Sequence, residues 1–407
     1  MSLEDLPMEI YPMTGEGRMA NYLVTGGAGF IGSHFVKKCA DKGNRVIVID
    51  SLDYSGNPEN LSGYIDRIYI EEVIKEYYPL GETYGIIQKI PRDPERSFGF
   101  PVEKVDFVEN LLEKFYSSSN RVLLIMGNVI DRAILSSLLK GIDYVVHFAA
   151  ETHVDRSHLF PESFIVSDII GTFVLVEAVK DKHIKKFIHL STDEVYGETP
   201  EGISFDETSP LMPTNPYSAS KAAADRIAHS YYHSHDVPVC IMRLSNNYGP
   251  YQFPEKFIPL MIIRAVQDSE LPLYGDGNQK RDWIYVGDTV KAVELVIEKG
   301  NPGEIYNVSG GNEIKNIDVV KRILKVLGKP ESLIRYVKDR PAHDRRYSMD
   351  DNKIRELGFE PEMDFEGGLE RTIEWYRENQ GWWRRIFDEN KKFREFFDKW
   401  YKKERGI

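Results

Sequence analysis

Thr25-Gly26-Gly27-Ala28-Gly29-Phe30-Ile31-Gly32 follows the short apolar run Asn21-Tyr22-Leu23-Val24, and a helical pattern continues from it through Lys38. A strand that breaks into glycines and then into a helix is the opening of a dinucleotide-binding βαβ unit. Glycine permits the open turn and lets a pyrophosphate approach the backbone, while the helix N-terminus offers N–H donors and the positive end of its dipole. Two glycine registers overlap here, Gly27-x-Gly29-x-x-Gly32 and Gly26-x-x-Gly29-x-x-Gly32. The next apolar run, Arg45-Val46-Ile47-Val48-Ile49-Asp50, ends in an acid. A carboxylate there accepts hydrogen bonds from a ribose 2′-OH and repels a 2′-phosphate, so the pattern selects NAD over NADP. The bland alternative, a glycine turn without a ligand, does not account for the strand, loop, helix and acid together.

Working outward, further apolar runs occur at Val122–Met126, Tyr144–Phe148, Phe187–Leu190 and Val239–Met242, with helical stretches between most of them. Alternating helices and continuously apolar strands predict an α/β fold, a Rossmann-type doubly wound parallel sheet covered on both faces. Residues 62–120 interrupt the rhythm, because a crossover needs only about a dozen residues. Val105, Val108, Leu111, Leu112 and Phe115 recur at helical spacing there, so this stretch reads as an ordered insertion. Its simplest role is surface embellishment.

A chain of 407 residues exceeds the usual single domain, which predicts two lobes. With 52 basic and 64 acidic residues the net charge is −12, which argues against a nucleic-acid partner. The two cysteines, Cys39 and Cys240, have no metal-binding or disulfide spacing, so no metal is expected and a reducing cytoplasm fits. No apolar run approaches the roughly 20 residues that span a bilayer. Residues 1–18, with Glu4, Asp5, Glu9 and Glu16, lack a secretory pattern and read as a leader.

Tyr217-Ser218-Ala219-Ser220-Lys221 places Tyr217 and Lys221 four apart, on one face of a helix. An ammonium and an oxidised nicotinamide both favour the phenolate, which can take the proton of a substrate hydroxyl during hydride transfer. Ser191-Thr192-Asp193-Glu194 ends the strand begun at Lys186, where doubly wound sheets bind ligands. A 4-keto sugar has an acidified C5 hydrogen. Glu194 as base and Asp193 as protonated acid can remove it and expel the C6 hydroxyl, with Thr192 donating to the C4 oxygen. Neighbouring carboxyls separate their pKa values, which suits two roles. Spacing alone equally allows two solvated acids.

The chain resembles the nucleotide-sugar 4,6-dehydratases of the extended short-chain dehydrogenase/reductase family, from about Met19 to Trp383 apart from the insertion. The matching stretches are Ala149–Ser157, Ser191–Gly197, Asn215–Lys221, Ser245–Lys256, Arg281-Asp282-Trp283 and Asp339–Asp344. The resemblance implies oxidation at C4, elimination across C5 and C6, and hydride return to C6, on a nucleotide-hexose for which dTDP-glucose is the first choice. It assigns Thr192, Asp193, Glu194, Tyr217 and Lys221 to catalysis. NAD would be held by Gly26, Gly29, Phe30, Ile31, Gly32, Asp50, Asn128, Val129, Ala149, Ala150, Glu151, Tyr217, Lys221 and Asn247. His153, Thr192, Asn246, Lys256, Pro272, Tyr274, Arg281, Asn316, Arg340 and His343 would face the nucleotide-sugar, whose diphosphate needs Arg and Lys donors. Asn128 replaces the family's adenine-contacting aspartate. Asp168 replaces an asparagine, and a carboxylate cannot donate as an amide does.

The resulting expectation is an NAD-binding domain over 19–245 with the 62–120 insertion, and a smaller α/β lobe over 246–382 for the nucleotide-sugar. Strands near 282–310 should return to the main sheet. Residues 383–407, where Phe393, Phe396, Phe397, Trp400 and Tyr401 repeat at helical spacing, read as a helical extension packed on its own subunit, or else as an oligomer contact. The family implies a homodimer. The rivals are a UDP-glucuronate decarboxylase, a sugar 4-epimerase, or a silent sensor of NAD or nucleotide-sugar. Neither rival enzyme needs an acid beside the C6 hydroxyl.

Overall fold

The computed structural model describes residues 19–65, 102–403 and 406. The expected leader and most of the insertion, 66–101, lie outside the described residues. Twelve strands are formed among those described: β1 (Asn21–Thr25), β2 (Arg45–Asp50), β3 (Val122–Met126), β4 (Tyr144–His147), β5 (Lys186–Thr192), β6 (Val239–Leu244), β7 (Asn246–Tyr248), β8 (Leu271–Tyr274), β9 (Lys280–Tyr285), β10 (Ile305–Val308), β11 (Glu313–Lys315) and β12 (Ile334–Val337). Seven of them make one sheet in the order β10-β6-β5-β4-β1-β2-β3. The pairs β1–β2, β2–β3, β1–β4, β4–β5 and β6–β10 are all parallel. This is the expected Rossmann-type α/β arrangement. The runs are largely apolar, as burial on both faces favours; β1, β6 and β10 are buried at every position, with Arg243 and Asn307 among the buried polar exceptions.

The chain forms two compact units. The first comprises Met1–Ala150, Ile170–His189 and Ile227–Val239. In it β1 lies between β2 and β4, so the strand order reverses there, and the loops after β1 and β4 meet. Ala149 N–H donates to Thr25 Oγ1 at 3.2 Å, and a Cβ on Gly26 would stand 2.6 Å from Ala149 N. A crevice at such a reversal is where open α/β sheets take ligands. The helix Val102–Ser117 closes the inserted region, as its apolar spacing predicts.

The second unit comprises Glu151–Ile169, Leu190–Arg226 and Cys240–Ile407. It holds a three-stranded sheet, β11-β9-β7, and the pair β12-β8. The sequence reading sent both Asp282–Val286 and Ile305–Val308 back to the main sheet. Only β10 goes there. β9 runs antiparallel to β11 and parallel to β7, and the physical reason is its charge. Lys280 bonds Glu201 and Arg281 bonds the Asp344 carbonyl, so its charged residues find their partners within this unit.

Within this unit lies a buried polar lock. Arg243 of β6 donates Nε to Asp225 Oδ2 at 2.9 Å and Nη1 to Tyr196 Oη at 2.7 Å. Tyr196 in turn donates to Asn307 Oδ1 at 2.8 Å. Arg243 is 1% exposed. The lock ties β6, β10 and the helix carrying Asp225 to the short turn Asp193–Tyr196.

The C-terminal aromatics pack within this same unit, as the simpler of the two readings expected. The helices Gln380–Glu389 and Lys391–Phe397 lead into a wide turn, Asp398–Lys403. Phe393, Phe396, Trp400 and Tyr401 are buried.

Candidate active site

In the first unit the glycine loop is built to receive a phosphate. The helix Phe30–Asp41 starts with no side-chain cap and no acid in its first turn, so its leading N–H groups are offered outward. Gly29, Phe30 and Ile31 are half-buried there. Gly26 has φ +68°, and a Cβ on Gly32 would stand 2.3 Å from the Gly26 carbonyl oxygen. Any other residue would prise this turn apart. Asp50 ties the loop down, accepting Ala28 N–H at 3.0 Å and Leu52 N–H at 2.9 Å. Burial raises its pKa against the pull of those two donors, and a carboxylate has acceptor sites left for a ribose diol. The residues therefore fit the adenosine half of a dinucleotide. Asn128 Oδ1 accepts Ile130 N–H at 3.2 Å, a bond an aspartate would make equally. Val129 is buried beside it, and Ala150 ends the first segment of this unit.

The second unit brings together the residues singled out for chemistry. Thr192 ends β5 and caps the turn that follows, its Oγ1 accepting Glu194 N–H at 3.3 Å. Its hydroxyl donates to Asp193 Oδ1 at 3.0 Å. Asp193 is 4% exposed, and burial, then the Glu194 charge, push its carboxyl up to about 8. Glu194 Oε2 instead accepts from Asn215 Nδ2 and Tyr347 Oη, each at 3.3 Å. One carboxyl is thus held protonated at neutral pH, while its neighbour is held by two donors.

Tyr217 and Lys221 share the helix Pro216–His235. Both are buried. Lys221 Nζ donates to the Leu190 carbonyl at 2.7 Å, which aims it. Burial lowers its pKa, opposed by Asp168 and Asp225. Burial, then Glu194 and Asp168, raise Tyr217 well above the ordinary phenol value, and a hydrogen bond with Thr192 works the other way. The phenol is therefore neutral until a positive charge arrives. Asp168 accepts Glu151 N–H at 2.8 Å and Ser220 Oγ–H at 2.6 Å. Both partners donate, so the carboxylate is satisfied where an amide would have to turn one face to Ser220. Burial raises it to about 7, with Lys221 pulling it down.

A cationic rim surrounds this group. Lys256 Nζ donates to the Thr152 carbonyl, and burial lowers its pKa against the attraction of Glu255 and Glu194. Arg281 donates to the Asp344 carbonyl at 2.9 Å and lies 4.2 Å over the Tyr347 ring. Arg340 Nη1 meets Asp155 Oδ1 at 3.2 Å; although burial opposes it, Asp155 and Glu194 hold its charge firmly. His343 is kept neutral by burial and by Arg340, Arg281 and Arg345, so its Nδ1–H donates to Asp339 at 2.5 Å. His153 is likewise driven neutral by burial. Asn246 Oδ1, Asn316 Oδ1 and Arg340 Nε are buried with no hydrogen-bond partner, which suits groups that wait for a ligand. Asn247 is turned inward, accepting Thr289 Oγ1–H at 2.5 Å. Pro272 and Tyr274 lie on β8, next to β12.

Sequence reasoning did not assign Asn215, Tyr347 or Asp155. Asn215 and Asp155 sit inside quoted motifs, so motif membership was the available signal. Tyr347 carried none, since its contact with Glu194 spans 153 residues.

The dinucleotide loop and the buried Thr-Asp-Glu and Tyr-Lys groups define an NAD-using enzyme of the short-chain dehydrogenase type. The chain belongs to the NAD dependent epimerase/dehydratase family, whose model matches residues 22–309. The dTDP-glucose 4,6-dehydratase of Streptomyces niveus is 39% identical over 89% of this chain and 94% of that protein. The crystal structure of the dTDP-glucose 4,6-dehydratase DesIV from Streptomyces venezuelae, which holds NAD, superposes with a TM-score of 0.74 at 39% identity, covering 90% of this chain and 99% of that one. The UDP-glucose 4-epimerase of Thermus thermophilus, also solved with NAD, gives 0.70 at 26% identity, over 88% and 99%. Within the family, then, this chain sides with the NAD-dependent nucleotide-sugar 4,6-dehydratases, which are hydro-lyases.

Proposed function

We propose that the chain converts dTDP-glucose to its 4-keto-6-deoxy product and water, with Asp193 as acid, Glu194 as base and Tyr217 as the oxidising base. The observation that carries the roles is the unlike setting of the two neighbouring carboxyls. Asp193 is raised to about 8 by burial, while Glu194 is held by Asn215 and Tyr347.

When bound, NAD would supply the acceptor for the C4 hydride and the donor that returns it to C6, and so would not be consumed. Tyr217 accepts the C4 hydroxyl proton. Lys221, fixed on the Leu190 carbonyl, keeps a positive charge near the phenolate. With substrate bound, Thr192 turns its hydroxyl from Asp193 Oδ1 to the C4 oxygen and steadies the carbonyl as it forms. Glu194 removes the C5 proton, which that carbonyl acidifies, and gives it back to C5 when the hydride reaches C6. Asp193 delivers its proton to the departing C6 hydroxyl, so the group leaves as water. Lys256, Arg281 and Arg340 hold the diphosphate, with Asn246, Asn316, His153 and His343 placing the remainder.

We further place the enzyme in the cytoplasm as a homodimer. Cys39 and Cys240 are buried and form no disulfide, which suits a reducing compartment, and no helix among the described residues is long and apolar enough to cross a membrane. Ile165 and Phe173 are large, apolar and exposed, which suits a subunit contact. A solution mass near twice 46.9 kDa supports the dimer; the single-chain mass removes it.

The substrate is tested by incubating the purified protein with dTDP-, UDP-, CDP- and GDP-hexoses and weighing the products. Loss of one water from dTDP-glucose, faster than from the others, supports the reading. Loss of water only from another nucleotide corrects the base, and inversion at C4 without loss of water overturns the reaction.

A further inference from the structure

The aromatic stripe of the C-terminal segment does more than cover the second unit. Trp400 is 3% exposed and donates its indole Nε1–H to Tyr274 Oη at 2.8 Å. Tyr274 donates onward to Asp155 Oδ2 at 2.6 Å. The other oxygen of Asp155 takes Arg340 Nη1 at 3.2 Å. A chain of three hydrogen bonds therefore runs from the tail through the phenol to a guanidinium of the cationic rim. The Trp400 bond polarises the Tyr274 hydroxyl toward Asp155, and Arg340 donates to the same carboxylate from its other oxygen.

The rings repeat the linkage. Phe396 meets His153 edge to face, centroids 5.3 Å apart and planes at 83°. Trp400 stacks parallel to His158 at 6.4 Å and to Phe396 at 6.3 Å. Tyr274 meets His343 at 6.0 Å and 86°. Of the residues assigned to the nucleotide-sugar, His153 and Tyr274 touch the tail directly; Arg340 is reached through Asp155 and His343 through the Tyr274 ring. An ordinary helical cover would need apolar contact alone. A buried indole N–H aimed at a half-buried phenol is a more specific demand, because it fixes that ring's plane and the direction of its hydroxyl.

We propose that Trp400 and Phe396 are positioning residues for nucleotide binding: the tail orients Tyr274, Asp155 and Arg340 as one unit and so sets the affinity for the nucleoside diphosphate. This rests on the substrate reading above. It makes the last helical turn part of the binding site, acting through Tyr274 and not on the reacting atoms.

The test uses the full chain with bound NAD and dTDP as probe, measured by calorimetry, together with KM and kcat on dTDP-glucose. Trp400→Phe keeps the ring and removes the N–H. It should weaken dTDP binding and raise KM by roughly three- to tenfold, the worth of one buried hydrogen bond, with kcat and NAD content held. In a Tyr274→Phe background, where the phenol oxygen is gone, Trp400→Phe should add little further loss. Phe396→Leu, milder in shape, should raise KM in the same direction. If Trp400→Phe binds dTDP as the parent does, or loses as much in the Tyr274→Phe background, the proposal is overturned while the substrate reading stands. If the parent itself neither binds dTDP nor turns over dTDP-glucose, the substrate reading fails and takes this proposal with it.

Discussion

Thr192 donates its hydroxyl to the carboxyl of the very next residue, Asp193, at 3.0 Å. A threonine that also caps the following turn thus holds an acid in place by one short, local bond. The arrangement fixes Asp193 without neutralising it, because a hydroxyl carries no charge. Burial then decides the protonation state.

That state makes the first prediction. The folded pKa of Asp193 lies at about 8, raised by burial and by Glu194, so the group carries its proton below that value and loses it above. An acid must hold its proton to act, so dehydration should fall as pH rises through about 8. Asp193→Asn has no proton to give. Its dehydration should slow by about 10²–10⁴ while single-turnover C4 oxidation, followed through nicotinamide absorbance, persists. Unchanged dehydration in Asp193→Asn removes the residue from its role.

Asp168 makes the second. Its negative charge raises Tyr217 and also supports Lys221, and Ser220 and Glu151 N–H hold it in place. Asp168→Asn removes the charge, so the Tyr217 proton should leave more readily. The acid limb of kcat/KM should then move to lower pH. A pH profile whose limb stays put, or moves upward, contradicts this electrostatic reading.

Much of this architecture is legible in the sequence, and the reason is local. The runs Arg45–Asp50 and Val122–Met126 coincide with β2 and β3, because a parallel strand buried on both faces is mostly apolar. The glycine loop is legible for a similar reason, since backbone geometry restricts which residues can stand there. β9 is different. Its run of three charged residues followed by Trp283-Ile284-Tyr285 does not show which sheet it joins, and its partners β7 and β11 are set by tertiary contacts. The wide helical turn at Ile165–Ile170 leaves no mark in residue type. Nor does the Trp400–Tyr274 bond, whose partners lie 126 residues apart. Periodicity shows that Trp400 is buried and is silent about what it touches.

The glycine loop gives a third prediction. In Gly32→Ala the added Cβ falls 2.3 Å from the Gly26 carbonyl oxygen and 2.9 Å from Gly27 Cα, both of them backbone that cannot swing aside. The turn must open, at a cost of about 1–3 kcal/mol in strain, and the helix N-terminus retreats from the pyrophosphate. Purified Gly32→Ala should carry less NAD than the parent, as read by extraction and absorbance. Equal NAD content means that the loop is not where the pyrophosphate sits.

The buried lock gives a fourth. Arg243→Met strands Asp225, which is fully buried, without its cation, and frees Tyr196. Loss of one partner of a buried pair costs about 3–5 kcal/mol, so chemical denaturation should show a lower midpoint. Tyr196 lies two residues beyond Glu194 in the same turn, so dehydration should fall more than NAD binding does. A midpoint unchanged from the parent contradicts the lock.

The central claim is that the hydride taken from C4 returns to the same sugar at C6 after water has left. Conversion of dTDP-glucose deuterated at C4, with the product examined by NMR and mass spectrometry, tests it most directly. The account predicts a product lighter by one water with the deuterium at C6. A product of unchanged mass, inverted at C4 and still carrying its deuterium there, would contradict it.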